Sequence, residues 1–408
     1  MSTTTKTCRS CGGAELAPVL SLGSTPLANA LLTEADLDEP EPKFPLELVF
    51  CPACTLVQIT EEVPPETMFG EYLYFSSFSD TMLKHAEAIA TRLVKDRALG
   101  DESLVVEVAS NDGYLLQFYA KAGVPVLGVE PAKNVAKVAE EKGIRTVARF
   151  FGRDLAAELA AKGERADVIH ANNVLAHVPD LNGVVAGFAT VLKDDGVVVV
   201  ECPWVKPFVD HCEFDTIYHE HLCYFSLHAL DALFARHGLV IHDVEKLAIH
   251  GGSIRIFASR GGARSDRMNA VLAEEKAAGV DTRAYYETFA ARVNALKLEL
   301  VKKLEDLKSQ GARVAAYGAA AKGATLANFF GIDRSLVSFV VDRSTYKQGR
   351  FMPGTRQPIL APDALLEKMP DYCLLFTWNF EAEILEQQKA YREKGGKFIV
   401  PIPSVRIV

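Results

Sequence analysis

Between Ile217 and Phe225 the chain reads IYHEHLCYF, a short stretch holding two histidines, a glutamate and two tyrosines. Three chemistries suit such a cluster. His219 and His221, two residues apart, could chelate a metal ion, but a metal centre needs a third ligand, and no partner motif stands elsewhere in the sequence. A polar strand whose groups are satisfied by neighbours needs no function at all. An acid/base centre explains why these residue types occur together. Making a carbon beside a ketone nucleophilic requires removing a proton, and a histidine with an unperturbed pKa of about 6.5 is suited to that. The charge developing on the ketone oxygen needs a donor, such as a tyrosine hydroxyl or a second histidine, and a glutamate can orient the imidazole or anchor a substrate. In an extended segment His219 and His221 would share one face, with Tyr218 and Glu220 on the other.

A second constellation is stronger. Cys8 and Cys11 form one CxxC pair, Cys51 and Cys54 another, each in turn-forming sequence (CRSCGG and CPAC). Four thiolates on two turns match the tetrahedral preference of Zn²⁺, and a closed four-cysteine site leaves no open position for catalysis, so the expected role is structural. A redox role is disfavoured because no βαβ pattern surrounds either pair. Cys202, Cys212, Cys223 and Cys373 are scattered and read as buried apolar residues.

The elements that must position these groups follow from apolar patterning. LVVEVA at Leu104–Ala109 is an apolar strand, followed by a turn and helix (SNDGYLLQFYAKAG) and a second strand (VPVLGVEP) ending in Glu130. This is the layout of a nucleotide-binding βαβ unit, with an acidic group placed to accept ribose hydroxyls. Only Gly113 remains of a glycine-rich loop. A pyrophosphate would want more free amides, whereas S-adenosylmethionine (SAM) carries no phosphate, so the loop favours SAM over a dinucleotide. Further along, ADVIH is a strand, a helix starts at Leu181, and DDGVVVVECPW is another strand expected to follow a turn. Val293, Leu296, Leu300, Leu304 and Leu307 recur at intervals of three and four, predicting one apolar face of a long helix. RVAAY, GAAAKG and LVSFVVDRS then start a second βαβ unit, whose small residues let a backbone approach a ligand and whose Lys322 suits a phosphate at a helix N-terminus.

Composition bounds the function. A chain of 408 residues suggests two to four domains at about 100–200 residues each. The net charge of −9 argues against sequence-independent binding of nucleic acid. No apolar run is long enough for a membrane span and MSTTTKTC lacks a signal-peptide core, so a cytoplasmic protein without membrane contact is expected.

CRSCGG, the YLYFSS connector, VVEVASNDGYLLQ, GVEPAKNVA, ANNVLAHVPD, YHEH, HGGS and YGAAAKG occur in this order. Together they resemble the nucleotide-sugar C-methyltransferases of antibiotic deoxysugar pathways, closest to the branch acting at C-3′ in D-tetronitrose formation. The resemblance spans essentially the whole chain. It implies an α/β protein with a four-cysteine zinc-binding domain over 1–68, a class I (Rossmann-like) SAM methyltransferase domain over 69–265, and a helical connector with a C-terminal Rossmann-like α/β domain over 266–408. It implies SAM contacts at Glu107, Ala109, Asn111, Gly113, Tyr114, Leu115, Glu130, Pro131, Asn172 and Asn173. His221 would be the base, with Tyr218, Glu220, Tyr72 and His177 completing the catalytic set. Tyr72, Asn173, His177, Tyr218, His250, Gly318, Ala320 and Lys322 would contact the substrate.

The expected reaction is therefore SAM-dependent methylation at C-3 of a dTDP-linked 4-keto-deoxysugar, in particular a 3-amino-4-keto-2,3,6-trideoxyhexose, by a monomeric enzyme. Two rivals from other classes are a zinc-ribbon RNA methyltransferase, which predicts a basic surface, and a non-catalytic nucleotide-sugar-binding protein.

Overall fold

A computed structural model describes residues 2–64, 75–249 and 251–408. Tyr72 and His250 lie outside the described residues. The centre of the molecule is a seven-stranded sheet with the spatial order Thr146–Val147, Val126–Val129, Val105–Val108, Ala166–Asn172, Leu192–Pro203, Ser253–Ser259 and Val240–Leu247. Ser253–Ser259 is antiparallel to both its neighbours, while the first five strands run parallel. Numbered along the chain, the order is 3-2-1-4-5-7-6, the arrangement of a class I methyltransferase sheet. Strands such as VVEV are buried along their whole length, as expected for parallel strands covered on both faces. The order reverses between Val105–Val108 and Ala166–Asn172, which opens a crevice at their carboxyl ends. DDG lies within its strand as expected, but no turn separates that strand from the helix Leu181–Val191. The strand begins at Leu192, with a register irregularity between Leu192 and Val197.

Ser79 caps the helix Asp80–Asp96 by accepting the Met82 amide. This helix is tied across the sheet edge by buried charges. Glu201 accepts from Arg255 Nε at 2.7 Å and meets His85 at 2.8 Å, and Arg255 continues to Glu245, which also binds Arg92.

An antiparallel sheet of Ala17–Thr25, Phe44–Phe50 and Val57–Ile59 carries the cysteine turns, and its fourth strand is Cys223–Tyr224 from far along the chain. The helix Phe289–Ser309 buries the predicted stripe Val293, Leu296, Leu300, Leu304 and Leu307. Beyond it lies a six-stranded sheet in the order Ile359–Leu360, Val340–Val341, Val314–Tyr317, Tyr372–Leu375, Lys397–Val400 and Arg406–Ile407, parallel except for the last strand. A Cβ on Gly318 (φ +100°) would lie 2.5 Å from Thr377, and one on Gly323 would lie 2.6 Å from Phe376. Both glycines of GAAAKG thus let the helix Ala321–Phe330 pack closely on its neighbours. No helix among the described residues is long and apolar enough to cross a membrane.

Candidate active site

The crevice is lined by a loop with an unusual backbone. Ala109, Asn111 and Gly113 all take left-handed φ values, +52°, +49° and +77°. Non-glycine residues rarely do so, and such strain gathers at functional sites. The loop has the shape of a glycine-rich turn with only its last glycine kept. Glu130 supports it, accepting the Asn111 amide at 3.0 Å and the Ala132 amide, beyond Pro131, at 2.8 Å. Tyr114 and Leu115 are buried in the core beneath the loop.

Around this crevice five buried oxygens have no hydrogen-bond partner among the described residues: Glu107 Oε2, Ser110 Oγ, Asp112 Oδ1, Asn172 Oδ1 and Asn173 Oδ1. Burial, with Glu130 and Asp112 nearby, pushes the Glu107 carboxyl well above its usual range. A buried group of unsatisfied acceptors is costly unless a ligand supplies donors or positive charge. SAM, with an ammonium, ribose hydroxyls and a sulfonium, fits that requirement.

The YHEH segment departs from its sequence reading. Tyr218–Glu220 is a turn rather than an extended strand, closed by the His221 amide donating to the Tyr218 carbonyl at 2.8 Å. Ile217 and Leu222 are both buried and pin the ends. The Leu222 amide is taken by Ala176 O at 2.6 Å and its carbonyl by the Ile59 amide at 2.9 Å, so strand pairing starts only at Cys223. The expected sharing of faces is therefore corrected: Tyr218 and His221 come together, and His219 turns away. His219 is buried against Phe44, with Nε2 3.1 Å from Pro45 O, and serves as an anchor to the cysteine-bearing sheet.

His221 Nδ1 lies 2.9 Å from Thr216 O, which can only accept, so Nδ1 carries the proton and Nε2 is the basic nitrogen. The Tyr218 hydroxyl donates to Nε2 at 2.9 Å, with the rings 4.0 Å apart. His177, in the turn Leu175–His177, sets its ring edge-on to His221 at 4.8 Å, and burial pushes its pKa down to about 4, keeping it neutral. Glu220 accepts from Asn29 Nδ2 at 2.6 Å, while burial raises its pKa. Asn173 has φ +56° beside the crevice, and its amide donates to Glu201 O at 2.7 Å.

Lys322 sits apart from this turn, on the helix that also carries Ala320 at its N-cap. Its Nζ is buried, has no hydrogen-bond partner among the described residues, and lies 4.9 Å from the centre of the Trp378 ring. Its charge acts on Glu213 and Asp215. Sequence reasoning missed Asn29, Glu213 and Asp215. The only signal for the last two was acid within the apolar run CEFDTI.

The four cysteine sulfurs converge within 4.8 Å of one another, with Cys8–Cys54 at 3.5 Å and Cys11–Cys51 at 3.6 Å. A tetrahedral zinc with Zn–S of about 2.3 Å needs sulfurs about 3.8 Å apart, so Cys8, Cys11, Cys51 and Cys54 would hold the ion.

Three family descriptions match successive parts of the chain. A C-methyltransferase C-terminal domain family matches residues 248–403, a methyltransferase domain family residues 82–244, and a candidate zinc-binding domain family residues 8–69. The C-methyltransferase NovU of Streptomyces niveus is 37% identical over 404 residues, covering 98% of this chain and 96% of its own. The ubiquinone biosynthesis O-methyltransferase of Bartonella quintana is 33% identical over 97 residues, 24% of this chain and 39% of its own. The solved structure of magnesium protoporphyrin IX methyltransferase from Synechocystis covers 48% of this chain and 89% of its own at 15% identity, with a TM-score of 0.35.

Proposed function

The chain belongs to the C-methyltransferase family that includes NovU, and from that premise we propose that this SAM-dependent enzyme methylates C-3 of a dTDP-linked 4-keto-deoxysugar. The observation that carries the reading is the Tyr218–His221 pair, with Nε2 basic and Nδ1–H held by the Thr216 carbonyl. His221 Nε2 takes the C-3 proton, and the C–H electron pair passes into an enolate whose oxygen is the former ketone. The Tyr218 hydroxyl, which leaves Nε2 free when it turns to the substrate's ketone oxygen, stabilises that oxygen with the assistance of His177 and Tyr72. Glu220 anchors the substituent at C-3, an amino group in the favoured substrate. Bound SAM supplies an electrophilic methyl group on its sulfonium. Glu107, Asn111, Glu130, Asn172 and Asn173 would hold it beside the acceptor carbon, so that positioning supplies much of the catalysis.

In this reading zinc belongs to 1–68, SAM to 69–265 and the nucleotide end of the sugar to 266–408, with Gly318, Ala320 and Lys322 as its grip and His250 as a further substrate contact. The full-length match to a C-methyltransferase leaves the RNA-methylating and non-catalytic readings without a supporting observation. Replacing His221 with Asn should lower kcat by about 10²- to 10⁴-fold, the range for loss of a general base, with SAM affinity by calorimetry unchanged. Full turnover in that variant would sink the assignment.

A further inference from the structure

The carbonyl that fixes the tautomer of His221 is held from the C-terminal domain. Thr216 O accepts both His221 Nδ1–H at 2.9 Å and the Tyr224 hydroxyl at 3.2 Å. Thr216 closes the short turn Phe214–Thr216, and its hydroxyl donates back to Glu213 O at 2.8 Å. The other two residues of that turn face the C-terminal domain. Phe214 is fully buried, stacked on Phe330 at 4.9 Å and edge-on to Phe329 at 5.8 Å. Asp215 is fully buried and accepts the Trp378 indole N–H at 2.7 Å, and its other oxygen has no partner among the described residues.

A buried carboxylate with one hydrogen bond and a lysine as distant counter-charge is an expensive way to join two domains. A well-packed apolar contact would serve stability as well or better. What the polar pair supplies is direction: the indole N–H fixes the azimuth of Asp215, hence of the adjoining Thr216 and its carbonyl. We infer that Asp215 and Trp378 are positioning residues for the methyl transfer, which orient the Thr216 carbonyl so that His221 keeps its proton on Nδ1 and offers Nε2 to the acceptor carbon. Burial raises the Asp215 pKa, and the Lys322 charge opposes that rise. The inference rests on the reading of His221 as the base.

Two measurements on the full-length zinc- and SAM-loaded enzyme test it. Trp378→Phe keeps a ring over Lys322 but deletes the N–H, Asp215→Leu deletes the acceptor, and Asp215→Asn keeps one. With a dTDP-linked 4-keto-deoxyhexose, Trp378→Phe and Asp215→Leu should lower kcat about ten- to a hundredfold, the scale of a misplaced catalytic group, with KM within about threefold. Asp215→Asn should stay within about threefold of the parent, as expected when the hydrogen bond is retained. In ¹⁵N-histidine spectra, with His221→Asn identifying the signal, the parent should show Nδ1 protonated and Trp378→Phe a mixture of tautomers. If Asp215→Leu does not fold, Trp378→Phe decides alone. Unchanged kcat in Trp378→Phe, a rise in KM in place of the fall in kcat, or a fall with the His221 signal unmoved would each overturn the inference. Failure of the base assignment is distinguishable, since it shows as turnover surviving His221→Asn and leaves the tautomer measurement standing.

Discussion

The two flanks of the proposed catalytic turn are held by different kinds of interaction. On its C-terminal side, Leu222–Tyr224 is zipped into the cysteine-bearing sheet through main-chain bonds, with Cys223 opposite Gln58 and Tyr224 opposite Val57. On its N-terminal side, Phe214–Thr216 is gripped by side chains of the C-terminal domain, Phe330 and Trp378. Backbone pairing sets register and is nearly indifferent to side-chain identity, provided the partner strand exists. A side-chain clamp sets orientation and can be altered one residue at a time. The proposed active site therefore depends on the zinc module as a whole and on the C-terminal domain residue by residue.

The largest effect should come from removing the first support entirely. Structural zinc sites contribute about 10–16 kcal/mol of apparent binding free energy that is also folding free energy. Stripping zinc with a strong chelator, or making Cys51→Ser, should therefore unfold the small sheet and abolish methyl transfer. SAM affinity by calorimetry should survive, because the crevice is built at the carboxyl ends of Val105–Val108 and Ala166–Asn172. A zinc-free protein, verified by metal analysis, that still turns over at the parent rate would break the comparison on that side.

The next effect lies in the clamp. Phe214→Ala removes a fully buried ring from the interdomain contact and should cost about 3–5 kcal/mol in denaturant unfolding, with zinc content unchanged. A cost below about 0.5 kcal/mol, the range of surface substitutions, would mean that the C-terminal domain does not hold this flank.

Some of this was legible in the sequence and some was not, for a physical reason. The parallel strands, the cysteine turns, the stripe on Phe289–Ser309 and the βα loop at Ala109–Gly113 are local patterns, in which the residues that carry the signal also make the structure. The loop's left-handed residues were hidden because Ala109 and Asn111 stand where glycine would have announced them. The turn in YHEH could not be read, because alternation assumes an extended chain. What bends it is long-range: Leu222 bonded to Ile59 and Ala176, and His219 to Pro45. Asp215 and Trp378 are further apart still, 163 positions along the chain, and no short pattern links them.

The smallest expected effect sharpens the comparison, because Asn29 is a place where the N-terminal region reaches the turn through a side chain. Its amide donates to Glu220 at 2.6 Å and favours the charged carboxylate, opposing the burial that raises the Glu220 pKa. A carboxyl whose pKa is higher folded than unfolded binds its proton more tightly in the native state. Its contribution is fully present below the unfolded value of 4.5 and is lost as pH rises through the folded one. Asn29→Ala raises the folded pKa further, so the loss on going to neutral pH deepens. The variant should cost about 1 kcal/mol at pH 7, the worth of one such hydrogen bond, and much less at pH 4, where the carboxyl is protonated in both states. Urea melts at the two pH values check this. An equal cost at both would mean that Asn29 contributes only packing, and that its hydrogen bond does not set the charge of Glu220.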